Sequence, residues 1–498
     1  MVAGSVALDV ARVGAPNPPP VLGRAIPAAL WTVASAILAG WLILAAVHLR
    51  DDYRMSHVQG IWVAAAEAAR GGALYPPLFD GEHYSGTRYM PLAILLNAFG
   101  SATTGDAILG GKMIAATLMA VLLATIILVL KRCSCPLSLA FALAAAVVAT
   151  DTGLQAGTTI GGDLLPVVLQ AGALALAARG RNSRQFILAG VLAGLAFASK
   201  LTGLWGAFAI ITWLAINQQW RRAAVFALAT VATVAVTLGV VQLFTNGGLS
   251  EHLLAFAFAG VRGGGTIFRG PNQLLFNLLG HATATVVLFP LAIIGALMAG
   301  GWRQLSVFHI ALMYALLVLM VVYADFGTGF NQLLDLVVLV VLVVGEWVGR
   351  VTTKVDFATP PVLALVIAVT VVWADGLDLV RTVGFDVRGA VASVRNGSPT
   401  CRTGRQPTGG TRRRSAGRRP VDLPATAPPT RGHGSVHAAA ARPTAPGMGR
   451  SVDPSYRRAA VRARRSRRVA RGPHARLLVE RLSVRPACRG CAERIVST

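Results

Sequence analysis

Charged side chains are scarce in this sequence. Asp, Glu, Lys and Arg make up 13% of its 498 residues, against about 25% in an ordinary soluble domain. Lysine is the rarest of them, with only Lys112, Lys131, Lys200 and Lys354. Cysteine is also sparse. Cys133 and Cys135 share a short loop, and Cys488-x-x-Cys491 has no second pair, so no zinc or redox framework is legible. A divalent metal stays open, but no stretch has the spacing of a ligand motif. The apolar stretches show no two-residue alternation, which argues against a membrane barrel.

What fills the sequence instead is long apolar runs. Hydrophobic residues reach 54%, concentrated between Ile26 and Ala374 in blocks such as Ile26–Leu49, Ile108–Leu130, Val225–Phe244 and Phe330–Val348. About 20 helical residues cross a ~30 Å hydrocarbon core. The first block is too long for a secretory leader and no clear cleavage site follows it, so it reads as a signal anchor. The fold expected is an all-α polytopic membrane protein of about eleven spans: 26–49, 107–130, 136–151, 163–178, 186–199, 201–217, 223–245, 273–300, 305–324, 330–349 and 358–375. Residues 1–25 form a cytoplasmic N-terminal segment, 26–375 the membrane domain and 376–396 a linker.

The net charge of +25 belongs mostly to the end of the chain. After position 400 there are 23 arginines and four acids, a net of +19, leaving +6 for the rest. Residues 397–498, rich in Arg, Pro and Ala and poor in aliphatics, cannot bury a core and read as disordered. Two origins stay open: an out-of-frame read of a GC-rich gene, or a basic tail that binds anionic lipid or polymer. Membrane lipids are expected neighbours, and no nucleic-acid partner is expected for the membrane domain.

Five short loops carry Lys or Arg: Lys131-Arg132, Arg179/Arg181/Arg184, Arg221-Arg222, Arg303, and Arg350/Lys354. Placing all five inside orients the chain in a bacterial plasma membrane with its N-terminus cytoplasmic. Met90–Phe99, half a span long and opened by Pro91, then reads as a helix on the outer surface. The unusual polar residues fall together on the outer side. The long first outer loop holds Asp51, Asp52, His57, Tyr75 and Arg88. Asp163 opens a helix after Gly161-Gly162. Lys200 sits at a tight turn in an apolar hairpin. Arg262 and Arg269 bracket Gly263-Gly264-Gly265, and Asn331 and Asp335 are one turn apart near the last outer turn.

Ionisable groups near spans cost ~2.5–3.5 kcal/mol on insertion scales and mark functional sites. An ammonium at Lys200 suits a lipid phosphate at headgroup depth; a snorkelling lysine is the plainer alternative. Asp163 is either an acid complementing a helix dipole or one facing the outer cavity. Asp335, within an apolar span, must be paired or hydrated. Lys112, at a helix start, is adequately explained by snorkelling.

Four stretches resemble the integral-membrane glycosyltransferases of the C superfamily, most nearly the family 39 and family 87 types. They are Gly60-Ile-Trp-Val-Ala-Ala-Ala-Glu-Ala-Ala-Arg-Gly-Gly-Ala-Leu-Tyr75; Arg88-Tyr-Met-Pro-Leu92; Gly162-Asp-Leu-Leu165 with Gly194 to Lys200; and Gly327-Thr-Gly-Phe-Asn-Gln-Leu-Leu-Asp335. The resemblance implies transfer of a sugar from a polyprenyl phosphate to an acceptor at the outer face. It implies donor-phosphate cations among Lys200, Arg88, Arg262 and Arg269, and a carboxylate base in the first outer loop. This sequence departs from the pattern there. His57-Val-Gln-Gly60 stands where relatives often have an acidic pair, so either Asp51 and Asp52 or Asp163 is expected as the catalytic base, or catalysis is lost. His57, Tyr75, Asn331 and Asp335 are expected to bind substrate. The competing expectation is a transporter or flippase, for which internal repeats and broken midplane helices are the usual signs; the sequence displays neither.

Overall fold

The structure, a computed structural model, describes residues 20–49, 55–79, 85–256, 268–298, 304–325 and 328–352, with a few positions between 376 and 386. All lie in the first of two units, which divide after Gly404. The expected eleventh span (358–375) and residues 397–498 fall outside the described residues, as do Asp51, Asp52 and Arg262.

Every regular element among the described residues is helical. In chain order they are α1 (Pro20–Leu49), α2 (His57–Arg70), α3 (Pro91–Thr104), α4 (Ala107–Arg132), α5 (Leu137–Ala149), α6 (Asp151–Thr158), α7 (Leu164–Ala177) and α8 (Ser183–Ser199). There follow α9 (Trp205–Ile216), α10 (Trp220–Phe244), α11 (Gly248–Phe256), α12 (Gly270–His281), α13 (Thr283–Leu297), α14 (Val307–Val322) and α15 (Leu334–Thr352). Ten of the eleven expected spans fall on these helices. Four of the helical segments are long and apolar enough to cross a membrane: α1, α4, α10 and Phe330–Val351. Two bent pairs, α5 with α6 and α12 with α13, reach that length together. The protein is a multi-pass membrane protein.

The helices sort by burial. α15 runs through the centre, with every side chain from Leu336 to Val344 at most 2% exposed. α10 lies at the edge, with Leu228 72% and Phe244 85% exposed. Such apolar surface is a liability in water but normal against lipid. α8 docks on α10 through Gly190 and Gly194, where a Cβ would press on the α10 backbone and on Thr233. This small-x-x-x-small spacing lets two backbones approach in a medium that gives no hydrophobic drive. α8 ends at Ser199, and Lys200 caps it, its N–H donating to the Ala196 carbonyl at 3.1 Å.

α3 has 14 residues, about 21 Å, and is too short to span unaided. It packs between α2 and α4, and Ser101 donates to Glu67 of α2 at 2.5 Å.

Two expectations fail. Broken helices are present: α5 and α6 meet at 79°, and α12 and α13 at 116°. At the first break the Thr150 hydroxyl accepts from Gly153 N–H at 3.0 Å, an N-cap that ends one helix and starts the next. Lys112 does not snorkel either. It is 5% exposed, and its Nζ donates to the carbonyl of His48 at 2.6 Å, near the end of α1.

Candidate functional site

Asp163 precedes α7, whose positive dipole end favours a carboxylate; Lys200 follows α8, whose negative end favours a cation. The Asp163 side chain makes no cap hydrogen bond to its own helix. It meets Lys200 instead, with Nζ 2.7 Å from Oδ1. Asn331 Nδ2 donates to the other carboxylate oxygen, and Gln332 Nε2 donates to Oδ1 at 3.3 Å. The two charged side chains are 21% and 18% exposed, so water reaches the pair without dissolving it. An ammonium and two amides all donate to Asp163, the set an ionised carboxylate needs.

Beside the pair lies a cavity of about 270 Å³. Its walls come from three stretches far apart in sequence: Ser56, Gln59 and Trp62 of the first loop, Gln155 to Asp163 of the second, and Gly329 to Asn331. Gly111 to Leu118 of α4 close the side. Trp62 stacks on Tyr89 with centroids 4.1 Å apart. The opposite edge of Trp62 lies so close to Gly162 that a Cβ there would collide with the indole. Burial, and then the negative charge of Asp163, pushes the Tyr89 hydroxyl up from its ordinary value.

The other expected residues are spread more widely. Arg88, 59% exposed, faces Asp325 at 3.6 Å. Asp335 lies in the first turn of α15 and is 7% exposed, with Oδ1 lacking a hydrogen-bond partner among the described residues. Asn331 sits in the 3₁₀ turn before α15, so the two do not share a helix face. His57 is the first residue of α2, and Arg269 immediately precedes α12. Tyr75 is away from the cavity. It is 6% exposed in a small core with Trp62, Ile94 and Leu249, and its hydroxyl donates to the Tyr89 carbonyl at 2.8 Å. Burial pushes that hydroxyl up from its ordinary value.

His252 of α11 is a fastener. It is fully buried, its Nδ1 accepts from Thr87 N–H at 3.3 Å, and its Nε2 faces the Pro76 carbonyl at 2.7 Å. The first arrangement leaves Nε2 to carry the proton, so a neutral imidazole pins the first loop to α11.

Among the described residues, no three His, Cys, Asp or Glu side chains gather as a metal site would. Burial raises the Cys133 thiol to about 11 and the Cys135 thiol to about 12, which makes both inert.

No protein-family model matches the chain, and no curated protein matches it. Solved structures do. One is ArnT from Cupriavidus metallidurans in the apo state, at 13% identity and TM-score 0.50; another is the same protein bound to undecaprenyl phosphate, at 14% and 0.50. Each match covers 72% of this chain and 73% of that one. A weaker one is the Archaeoglobus fulgidus oligosaccharyltransferase, at 12% identity and TM-score 0.44, covering 69% of this chain and 55% of that one. The likeness to ArnT is one of fold.

Proposed function

We propose that the chain is a glycosyltransferase of the bacterial plasma membrane. It moves a hexose or pentose from a polyprenyl phosphate to a lipid, glycan or protein acceptor at the outer face. The observation that carries this reading is the Lys200–Asp163 pair at the edge of a cavity built from three loops that the charge pattern puts outside. The bound undecaprenyl phosphate of a structural neighbour supports a polyprenyl-phosphate partner.

The chemistry fits the residues. The leaving group is a phosphate whose negative charge grows as the glycosidic bond breaks. Lys200 supplies a compact cation with three donors, and Arg88 a second cation at the mouth. Asp163, itself held by Asn331 and Gln332, keeps the ammonium in place before the donor arrives, so little reorganisation is left for the reaction. Asp335, in the first turn of α15, is buried, with one carboxylate oxygen lacking a hydrogen-bond partner among the described residues. Asp163 is a poor base, because three donors already occupy it. The resemblance makes Asp51 and Asp52 candidates for the base, His57 a substrate contact, and Arg262 with Arg269 a loop that closes on an anion.

The test supplies purified protein in envelope vesicles with a panel of radiolabelled undecaprenyl-phosphate hexoses and pentoses. Label should pass to an envelope acceptor, with undecaprenyl phosphate released. The two helix breaks favour one second reading, a transporter. Label that crosses the vesicle still attached to its lipid, with no transfer, would establish that reading instead.

A further inference from the structure

The two helix breaks meet at one ion pair. Asp151 is the first residue of α6 and His281 the last of α12, and Nδ1 of His281 lies 3.2 Å from Oδ2 of Asp151. An ionised carboxylate oxygen can only accept, so Nδ1 carries the proton. In the neutral ring, Nε2 then presents its lone pair, and it has no hydrogen-bond partner among the described residues. The imidazole is a third exposed, open to a solute.

Its orientation is fixed twice over. The ring stacks on Phe330, with centroids 4.0 Å apart and planes 16° from parallel. Thr152, next to Asp151, donates to the Phe330 carbonyl at 3.2 Å. Phe330 is part of the cavity wall. So are Gln155 and Thr159, which follow Asp151 at four-residue intervals along the same face. The dyad therefore stands at the rim of the cavity, about one helical turn beyond its wall.

We propose that His281, oriented by Asp151, is the base that activates the acceptor. This rests on the glycosyltransferase reading. The acceptor hydroxyl gives its proton to Nε2 of His281 as its oxygen bonds to the anomeric carbon. The bond from that carbon to the donor phosphate oxygen breaks, and the electron pair leaves with polyprenyl phosphate beside Lys200. The proton stays on an imidazolium that Asp151 stabilises, to be lost to solvent after product release. Asp163 is occupied by Lys200, Asn331 and Gln332, and Asp325 faces Arg88.

The alternative is a latch that merely ties the two breaks together, and chemical rescue separates them. In full-length protein with the labelled undecaprenyl-phosphate donor, His281→Ala should lower kcat about 100-fold or more, leave the donor KM within twofold, and recover at least tenfold on addition of imidazole. Asp151→Asn should give a smaller loss that imidazole does not relieve. His281→Gln, which keeps a polar side chain at the break, serves as the folding control and should melt within a few degrees of wild type while remaining slow. Unchanged kcat in His281→Ala, or a loss that imidazole does not restore while His281→Gln stays active, overturns the proposal. Wild-type protein that transfers no label sinks the transferase reading, whereas active wild type with an indifferent His281→Ala sinks only this one.

Discussion

α15 has a buried carboxylate network at each end, and the two differ in what surrounds them. At its start Asp163 and Lys200 are held by Asn331 and Gln332 beside an open cavity. Toward its end Glu346, 7% exposed, accepts from Arg350 at 2.5 Å and from Ser306, and Ser306 also meets His309 at 2.7 Å. Glu346 and Arg350 are one turn apart on a single helix, so that pair is mostly local. The first pair joins the start of one helix to the end of another, and its amide donors come from the turn before a third. A local pair on one helix serves the fold. A pair assembled from distant stretches at the edge of an opening holds charge where a ligand can reach it.

Three substitutions break or sharpen that contrast. The largest effect is expected at Lys200. Lys200→Ala should cut kcat/KM for the polyprenyl-phosphate donor at least about 100-fold, or ~2.7 kcal/mol, and Lys200→Arg should keep part of it. The double variant Lys200→Ala/Asp163→Asn should regain the thermal stability lost by stranding a buried carboxylate, yet stay inactive. Full donor use by a folded Lys200→Ala protein would take Lys200 out of the site.

Next is Glu346→Ala. Arg350 is 41% exposed and can turn to water, so the loss should be about 2 kcal/mol, below the ~3–5 expected of a fully buried pair. Transfer per folded molecule should match wild type. A tenfold fall in kcat with no loss of stability would erase the distinction between the two ends.

The smallest effect is at Gly162→Ala, which forces the Trp62 indole away from the second loop. Overpacking should cost about 1–2 kcal/mol and raise the donor KM severalfold. An unchanged KM together with an unchanged melting temperature would mean that this wall of the cavity is loose.

The helical membrane body was legible in the sequence because apolar runs of span length are stable in few settings besides a bilayer. Asp163, Lys200 and Asn331 stood out as polar groups set in apolar surroundings. Their mutual contact was hidden, since residues 163, 200 and 331 meet only through the packing of α7, α8 and α15. Asp151 and His281 drew no attention for a related reason: each is ordinary alone, and the two meet only through the packing of α6 and α12. Thr150-Asp151-Thr152-Gly153 did contain a readable cap signal. Tyr75 was legible as part of a motif, but the motif does not tell a packing tyrosine from a ligand-binding one. The hydrogen bond from its hydroxyl to the Tyr89 carbonyl, which only the fold supplies, shows how it packs.

The cavity closes late in the life of the chain. Lys200 is made about 130 residues before Asn331, a delay of roughly 10 s at ordinary translation rates. Until then the ion pair lacks its amide donors and the cavity lacks the wall formed by Gly329 to Asn331. A nascent chain, or one cut short ahead of that turn, therefore reaches the membrane with its cations but without a finished donor site. On the proposed transferase reading, competence to handle a lipid-linked sugar is tied to completion of the body, and a chain stalled before that turn has the membrane helices without a finished site.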